Sequence, residues 1–143
     1  PIDRNAKLSD AQINSVAVIN TTGRAGQLYD RALRQGLYIR GKTAAAYDLT
    51  SEIFISSSRA LSVRGVTSTF KKMTMVANFR LIEKSSNTVV LEDTVTADAT
   101  LGTVSSLFGQ DQSELHARDR MAKLIAKRVV QRLQLHFLEQ PKT

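Results

Sequence analysis

No cysteine occurs among the 143 residues, so the chain can hold neither a disulfide nor a thiolate-bound zinc and offers no thiol nucleophile. Cytosolic and periplasmic domains both manage without cysteine, so this absence does not place the protein. Tryptophan is missing too, and three Tyr and five Phe leave few faces on which nucleobases could stack. No apolar run approaches the roughly 18 residues that a membrane-spanning helix needs. Acidic residues are outnumbered: 13 Asp and Glu stand against 20 Lys and Arg, a formal net charge of +7. Such a surface suits anionic partners, whether nucleic acid, acidic protein or lipid phosphate. What remains suffices for a core, since 42% of residues are hydrophobic and 23% charged. The length fits one domain, predicted over 13–140 behind a polar arm at 1–12. The chain begins at Pro1 without an initiating methionine. An upstream segment, either processed off or left out of this sequence, is therefore expected, and any signal peptide or lipid-attachment site would lie there.

Along the chain the hydrophobic period changes twice. Ile13 to Ile19 form a short apolar run that predicts a buried strand. Asn20-Thr21-Thr22-Gly23 breaks it and offers hydroxyls to cap a helix. Ala25, Leu28, Tyr29, Ala32, Leu33 and Leu37 then recur at helical spacing, with Gln27, Asp30, Arg31 and Arg34 opposite and Gly36 placed to stop the helix. Within 47–58 and 67–82 the period becomes two, most clearly in Met73, Met75, Ala77, Phe79 and Leu81 against Lys72, Thr74, Asn78 and Arg80. Val89 to Ala97 form a third such run, predicting three antiparallel strands in a sheet covered on one face. Ala99 to Gln110 reads as a loop. Asp111 and Glu114 then sit as a capping box before a helix of about 27 residues, whose apolar face includes Leu115, Ala122, Ile125, Ala126, Val129, Val130, Leu133 and Phe137. The expected fold is α+β, a β-α-β-β-β-α two-layer sandwich with two helices on one face of a four-stranded, mostly antiparallel sheet.

Chemistry-bearing patterns are few. Gly36 to Thr43 satisfies G-x-x-x-x-G-K-[ST], the phosphate-binding loop of nucleotide hydrolases. That loop must be fed by a strand and left by a helix, so that backbone amides face the phosphates. Here a helix precedes it and a strand follows, so a helix stop and a basic turn account for the pattern, with nucleotide binding at 36–43 a remote alternative. His116 and His136 lie twenty residues apart on different sides of one helix, and neither has a partner at i+4, so no metal site is expected. No G-x-S-x-G elbow is present. No catalytic residues, cofactor or metal are expected.

The basic residues carry more. Arg59, Arg64, Lys71, Lys72, Arg80 and Lys84 fall within 59–84 with only Glu83 against them, and Arg59 and Arg64 belong to a predicted hairpin tip at 59–66. Arg118, Arg120, Lys123, Lys127, Arg128 and Arg132 decorate the last helix and read as a solvated face. A basic α+β nucleic-acid-binding module is one reading of such charge.

Element order and local phrases supply another. Ser15-Val16-Ala17-Val18-Ile19, the helix Leu28-Tyr29-Asp30-Arg31-Ala32-Leu33-Arg34 and the strand Lys72 to Ile82 resemble the lipopolysaccharide-assembly lipoproteins, the LptE family. The resemblance covers nearly the whole chain beyond the arm and implies a non-enzymatic periplasmic domain. It would be anchored to the outer membrane by an N-terminal lipidated cysteine absent from this sequence, would plug and support the β-barrel that inserts lipopolysaccharide, and would bind lipopolysaccharide. No nucleic-acid partner follows from it. The family's basic residue between its second and third strands falls at Arg64, so Arg64, with Arg59, Lys71 and Lys72 nearby, is the expected ligand site. A second family lysine near the start of the last helix has no counterpart in Gly109-Gln110-Asp111.

Overall fold

The computed structural model describes residues 12–38, 44–61, 69–102 and 107–139. Residues 1–11 of the arm, 62–66 of the expected hairpin tip with Arg64, and Gly41-Lys42 lie outside the described residues, whereas Gln12 is helical and Arg59 belongs to a strand rather than to the tip.

A helical turn at 12–14 leads into β1 (Val16–Val18), followed by α1 (Gly23–Leu37), β2 (Tyr47–Leu61), β3 (Thr69–Glu83), β4 (Thr88–Gly102) and α2 (Leu107–Glu139). The sheet order is β1-β2-β3-β4, with β1 parallel to β2 and the other pairs antiparallel. The expected α+β architecture is therefore present. β1 is shorter than the apolar run at 13–19, because the Ser15 hydroxyl and amide both donate to the Gln12 carbonyl and close a turn there. Ile13 is nonetheless buried, as the foot of the core rather than as a strand residue.

Alternation fixes which side of the sheet is covered. Met73, Met75, Ala77, Phe79 and Leu81 of β3 are buried, and Leu49, Leu91, Ala97 and Leu101 join them from the neighbouring strands. Tyr29, Leu33 and Leu37 of α1 and Ile125, Ala126, Val129 and Leu133 of α2 close the core from one side. The helices approach closely at Gly36, where an added Cβ would lie 3.0 Å from Val130 Cγ2. Gly36 thus serves the helix contact, and the helix itself runs on to Leu37 before Tyr38 ends it, so the expected stop at Gly36 is one residue early.

Four further expectations are corrected. Ala99–Gly102 continue β4 and 107–110 already belong to α2, so the loop expected at 99–110 is largely regular structure. Asp111 consequently lies inside a 33-residue helix, about 50 Å long, and caps nothing. Leu115, assigned to the buried face, is 37% exposed, while Ala117 and Met121 are buried in its stead. Asp30, assigned to the polar face of α1, is buried: it accepts from the Thr21 amide at 2.7 Å and the Thr21 hydroxyl at 2.6 Å. Thr22 stands at the N-cap without a side-chain capping bond, so Thr21 anchors the helix entry through its carboxylate partner about two turns along.

Candidate functional site

The β2–β3 hairpin is where sequence placed the ligand-binding bases, and its register separates them. Arg59 pairs with Lys71 and Ser58 with Lys72. Lys71 shares parity with Met73 and points to the helix side, whereas Lys72 shares the open side with Thr74. Lys71 Nζ meets Glu114 Oε1 of α2 at 2.5 Å, with both side chains largely covered, so this lysine ties the helix to the sheet. Glu114, expected as half of a capping box, finds its use in that bond. Lys72 is exposed and, among the described residues, has no ion pair. Arg64 lies outside the described residues, and Arg59 is placed by its backbone register alone. The four candidate bases are thus not brought together on one face: of the two described side chains, Lys72 is open to a ligand and Lys71 is engaged.

The open face is a lawn of hydroxyls and short charges. Thr50, Glu52, Asn78, Arg80, Glu92 and Thr94 line a shallow basin of about 660 Å³. Within it Thr94 donates to Asn78 Oδ1 at 2.7 Å and Arg80 Nε lies 3.3 Å from Glu92. Nearer the hairpin, Thr74 donates to Asp98 at 2.8 Å. With Asp93 also on its lining, three carboxylates against one guanidinium make the basin a poor anion site. Lys84, at the far end of β3, stands 3.5 Å from Asp48. Unbalanced positive charge on this face is therefore left at Lys72, close to the β2–β3 connection.

Two cations of the last helix also differ from their expected solvent role. Arg128 donates to the Thr96 carbonyl, and Arg132 Nε donates to Asp93 Oδ2 at 2.9 Å. These contacts occupy β4, the strand at the sheet's edge, and limit its use as a template for another chain. Asp93 is held below its ordinary carboxylate range first by the Thr94 amide and then by Arg132. Arg118, Arg120, Lys123 and Lys127 remain exposed. Sequence alone could not separate these roles, because all six recur on one helix without marking which flank meets β4.

Nothing in the described geometry favours catalysis. Among the described residues no three His, Cys, Asp or Glu side chains gather as a metal set. His136 packs edge-on against Phe137 with ring centroids 5.4 Å apart, and burial followed by Arg132 pushes its pKa below the ordinary value. The Tyr29 phenol, pushed well above its usual range by burial, donates to or accepts from Ser51 at 2.8 Å inside the core. Gly36 and Leu37 of the phosphate-loop pattern form the last turn of α1, and a strand follows, the reverse of the context a phosphate loop needs. No helix among the described residues is long and apolar enough to cross a membrane.

Comparison with protein families finds one whose model, described as lipopolysaccharide-assembly (LptE), matches residues 11–133. Several crystal structures share the fold. A lipoprotein candidate from Caulobacter crescentus CB15 superposes with a TM-score of 0.75 at 17% identity, covering 95% of this chain and 99% of that one. A minor lipoprotein from Acinetobacter baumannii gives 0.62 at 14% identity, covering 91% and 98%. Rare lipoprotein B from Shewanella oneidensis gives 0.58 at 13%, covering 83% and 91%. A search of curated proteins gives no match.

Proposed function

The chain belongs to the lipopolysaccharide-assembly family LptE, and from that premise we propose that it is a non-enzymatic outer-membrane lipoprotein domain that supports and plugs the lipopolysaccharide-inserting β-barrel and binds lipopolysaccharide near its β2–β3 connection. The family match over 11–133 is the observation that carries this reading. In it, an N-terminal lipid holds the domain at the periplasmic face of the outer membrane.

Physical chemistry supports the reading at two places. An open sheet face rich in Thr, Asn and paired charge can exchange hydrogen bonds with the polar lumen of a barrel at little desolvation cost. Lipopolysaccharide is polyanionic through its phosphates, and Lys72 leaves a cation exposed near the hairpin end, eight residues along the chain from Arg64. Arg64 can grip a phosphate with two parallel N–H donors, which a lysine cannot do. Lys71 contributes less than sequence suggested, since it is held by Glu114.

Titration of lipopolysaccharide into wild type, Arg64→Asp and Lys72→Glu tests the proposal. Both variants should bind several-fold more weakly while their urea melts stay within about 0.5 kcal/mol of wild type. Added salt should weaken binding only in part, because acyl-chain burial is not screened. Wild type that ignores lipopolysaccharide, or variants that bind it unchanged, would sink the ligand assignment.

A further inference from the structure

β1 covers only Tyr47–Leu49 of β2, so beyond Leu49 that strand has no neighbour on its outer side among the described residues. On the helix side of that stretch, beside the first turn of α1, lies a groove. Ile53 and Ile55 of β2 form its floor, with Ile55 37% exposed, and Leu28 of α1 and Leu115 of α2 form its walls. Leu115 is the helix residue that sequence had assigned to the core. It stands on the groove's wall together with Arg118 and Asp119 of the same helix.

The groove encloses about 280 Å³, near the lower end of the range for small-molecule sites. If a methylene takes roughly the volume of a water molecule, that space accepts one tail of roughly ten carbons. Its aliphatic floor carries no titratable group. The charged residues that line it are Arg24, Arg118 and Asp119, two guanidiniums against one carboxylate. Arg24 and Arg118 are exposed, and each offers planar donors to an oxyanion. An apolar slot with a net positive lining matches an apolar tail with a negative head.

We propose that this groove binds a single-chain anionic amphiphile, its tail along Ile53, Ile55 and Leu115 and its phosphate or carboxylate held by Arg24 and Arg118. The site lies on the helix side of the sheet, whereas Lys72 faces the open side, so it goes beyond the lipopolysaccharide reading. The probes below contain no saccharide, and a negative result here leaves that reading untouched.

Calorimetric titration with decyl phosphate, decanoate, decanol and inorganic phosphate, all below micellar concentrations, tests it. Decyl phosphate or decanoate should saturate at one molecule per chain, and comparing the two identifies the preferred head. Decanol should bind more weakly, and inorganic phosphate should give no saturable signal. Arg118→Ala should weaken binding about fivefold, the scale of a solvent-exposed charge contact. Ile55→Asp and Leu115→Asp should abolish it; both positions are over one-third exposed, so the folds of these variants are expected to survive and are checked by urea melts. Lys127→Ala, on the solvent face of α2, should bind as wild type does. The proposal is overturned if neither anionic probe saturates, if decanol binds as tightly as decyl phosphate, or if folded Ile55→Asp and Leu115→Asp proteins bind normally. In the first of these cases an extended peptide pairing with the bare edge of β2 becomes the better occupant.

Discussion

Replacing Asp30 by alanine separates the structure from the helical wheel more sharply than any other single change. On the wheel Asp30 sits among Gln27, Arg31 and Arg34, and a surface substitution there should move stability by no more than about 0.5 kcal/mol. In the fold it is 3% exposed and accepts both the amide and the hydroxyl of Thr21. Hydrogen bonds to a charged group contribute about 1.5–3 kcal/mol each, and two converging on one carboxylate are not additive. Truncation also leaves the partly buried Thr21 donors without their acceptor. A loss of about 3 kcal/mol follows. With a urea dependence of about 1.5–2 kcal/mol/M, the unfolding midpoint should fall by about 1.5–2 M. Asp30→Asn keeps the shape but turns an amide donor on Thr21, so it should lose roughly half as much. Thr21→Val removes only the hydroxyl bond and should cost about 1 kcal/mol. A double-mutant cycle between the two positions should then show coupling. An Asp30→Ala midpoint within experimental error of wild type would refute the reasoning and restore the wheel's assignment.

Other expectations follow from burial and from titration. Ile125→Ala should cost about 2–5 kcal/mol, since Ile125 is fully buried against the sheet, whereas Arg120→Ala on the exposed flank should stay within about 0.5 kcal/mol; equal sensitivity in urea melts would mean the face of α2 is misassigned. His136 has a folded-state pKa below its ordinary 6.5, first through burial and then through Arg132. The unfolded chain therefore binds the proton more readily. Its contribution is full above about pH 6.5 and is lost as the pH falls through the lower folded value. The stability drop between pH 7.5 and 5.5 should be smaller in His136→Gln than in wild type, and a larger drop in the variant would contradict the sign.

How far the sequence reached can be traced element by element. Period-two alternation from Met73 to Leu81 identified β3 and its buried face, because a pleated strand exposes its residues alternately whatever packs against it. The 3.6-residue recurrence from Tyr29 to Leu37 and from Ala122 to Phe137 identified both helices for the same local reason. Element order, the net positive charge and the family resemblance were equally available from the chain alone. Ends were less legible. α2 begins at Leu107 without the capping box that 111–114 advertised, since tertiary contacts with the sheet, Lys71 to Glu114 among them, support its first turns.

What the sequence determined by itself was therefore the local pattern: which segments are strands or helices, and which face of each is apolar. Only the tertiary structure decided how identical-looking polar residues are spent. Lys71 and Lys72 are adjacent bases in the chain, yet one closes an ion pair with α2 and the other faces solvent, because pleating sends neighbours to opposite sides. Asp30, Arg128 and Arg132 look like solvated charges until Thr21 and β4 arrive beside them. Leu115 looks like core, yet it stands 37% exposed on the wall of a groove beside the first turn of α1. Periodicity is written in the spacing of residues along one element; partnership depends on which second element is placed opposite, and that is fixed only when the layers pack.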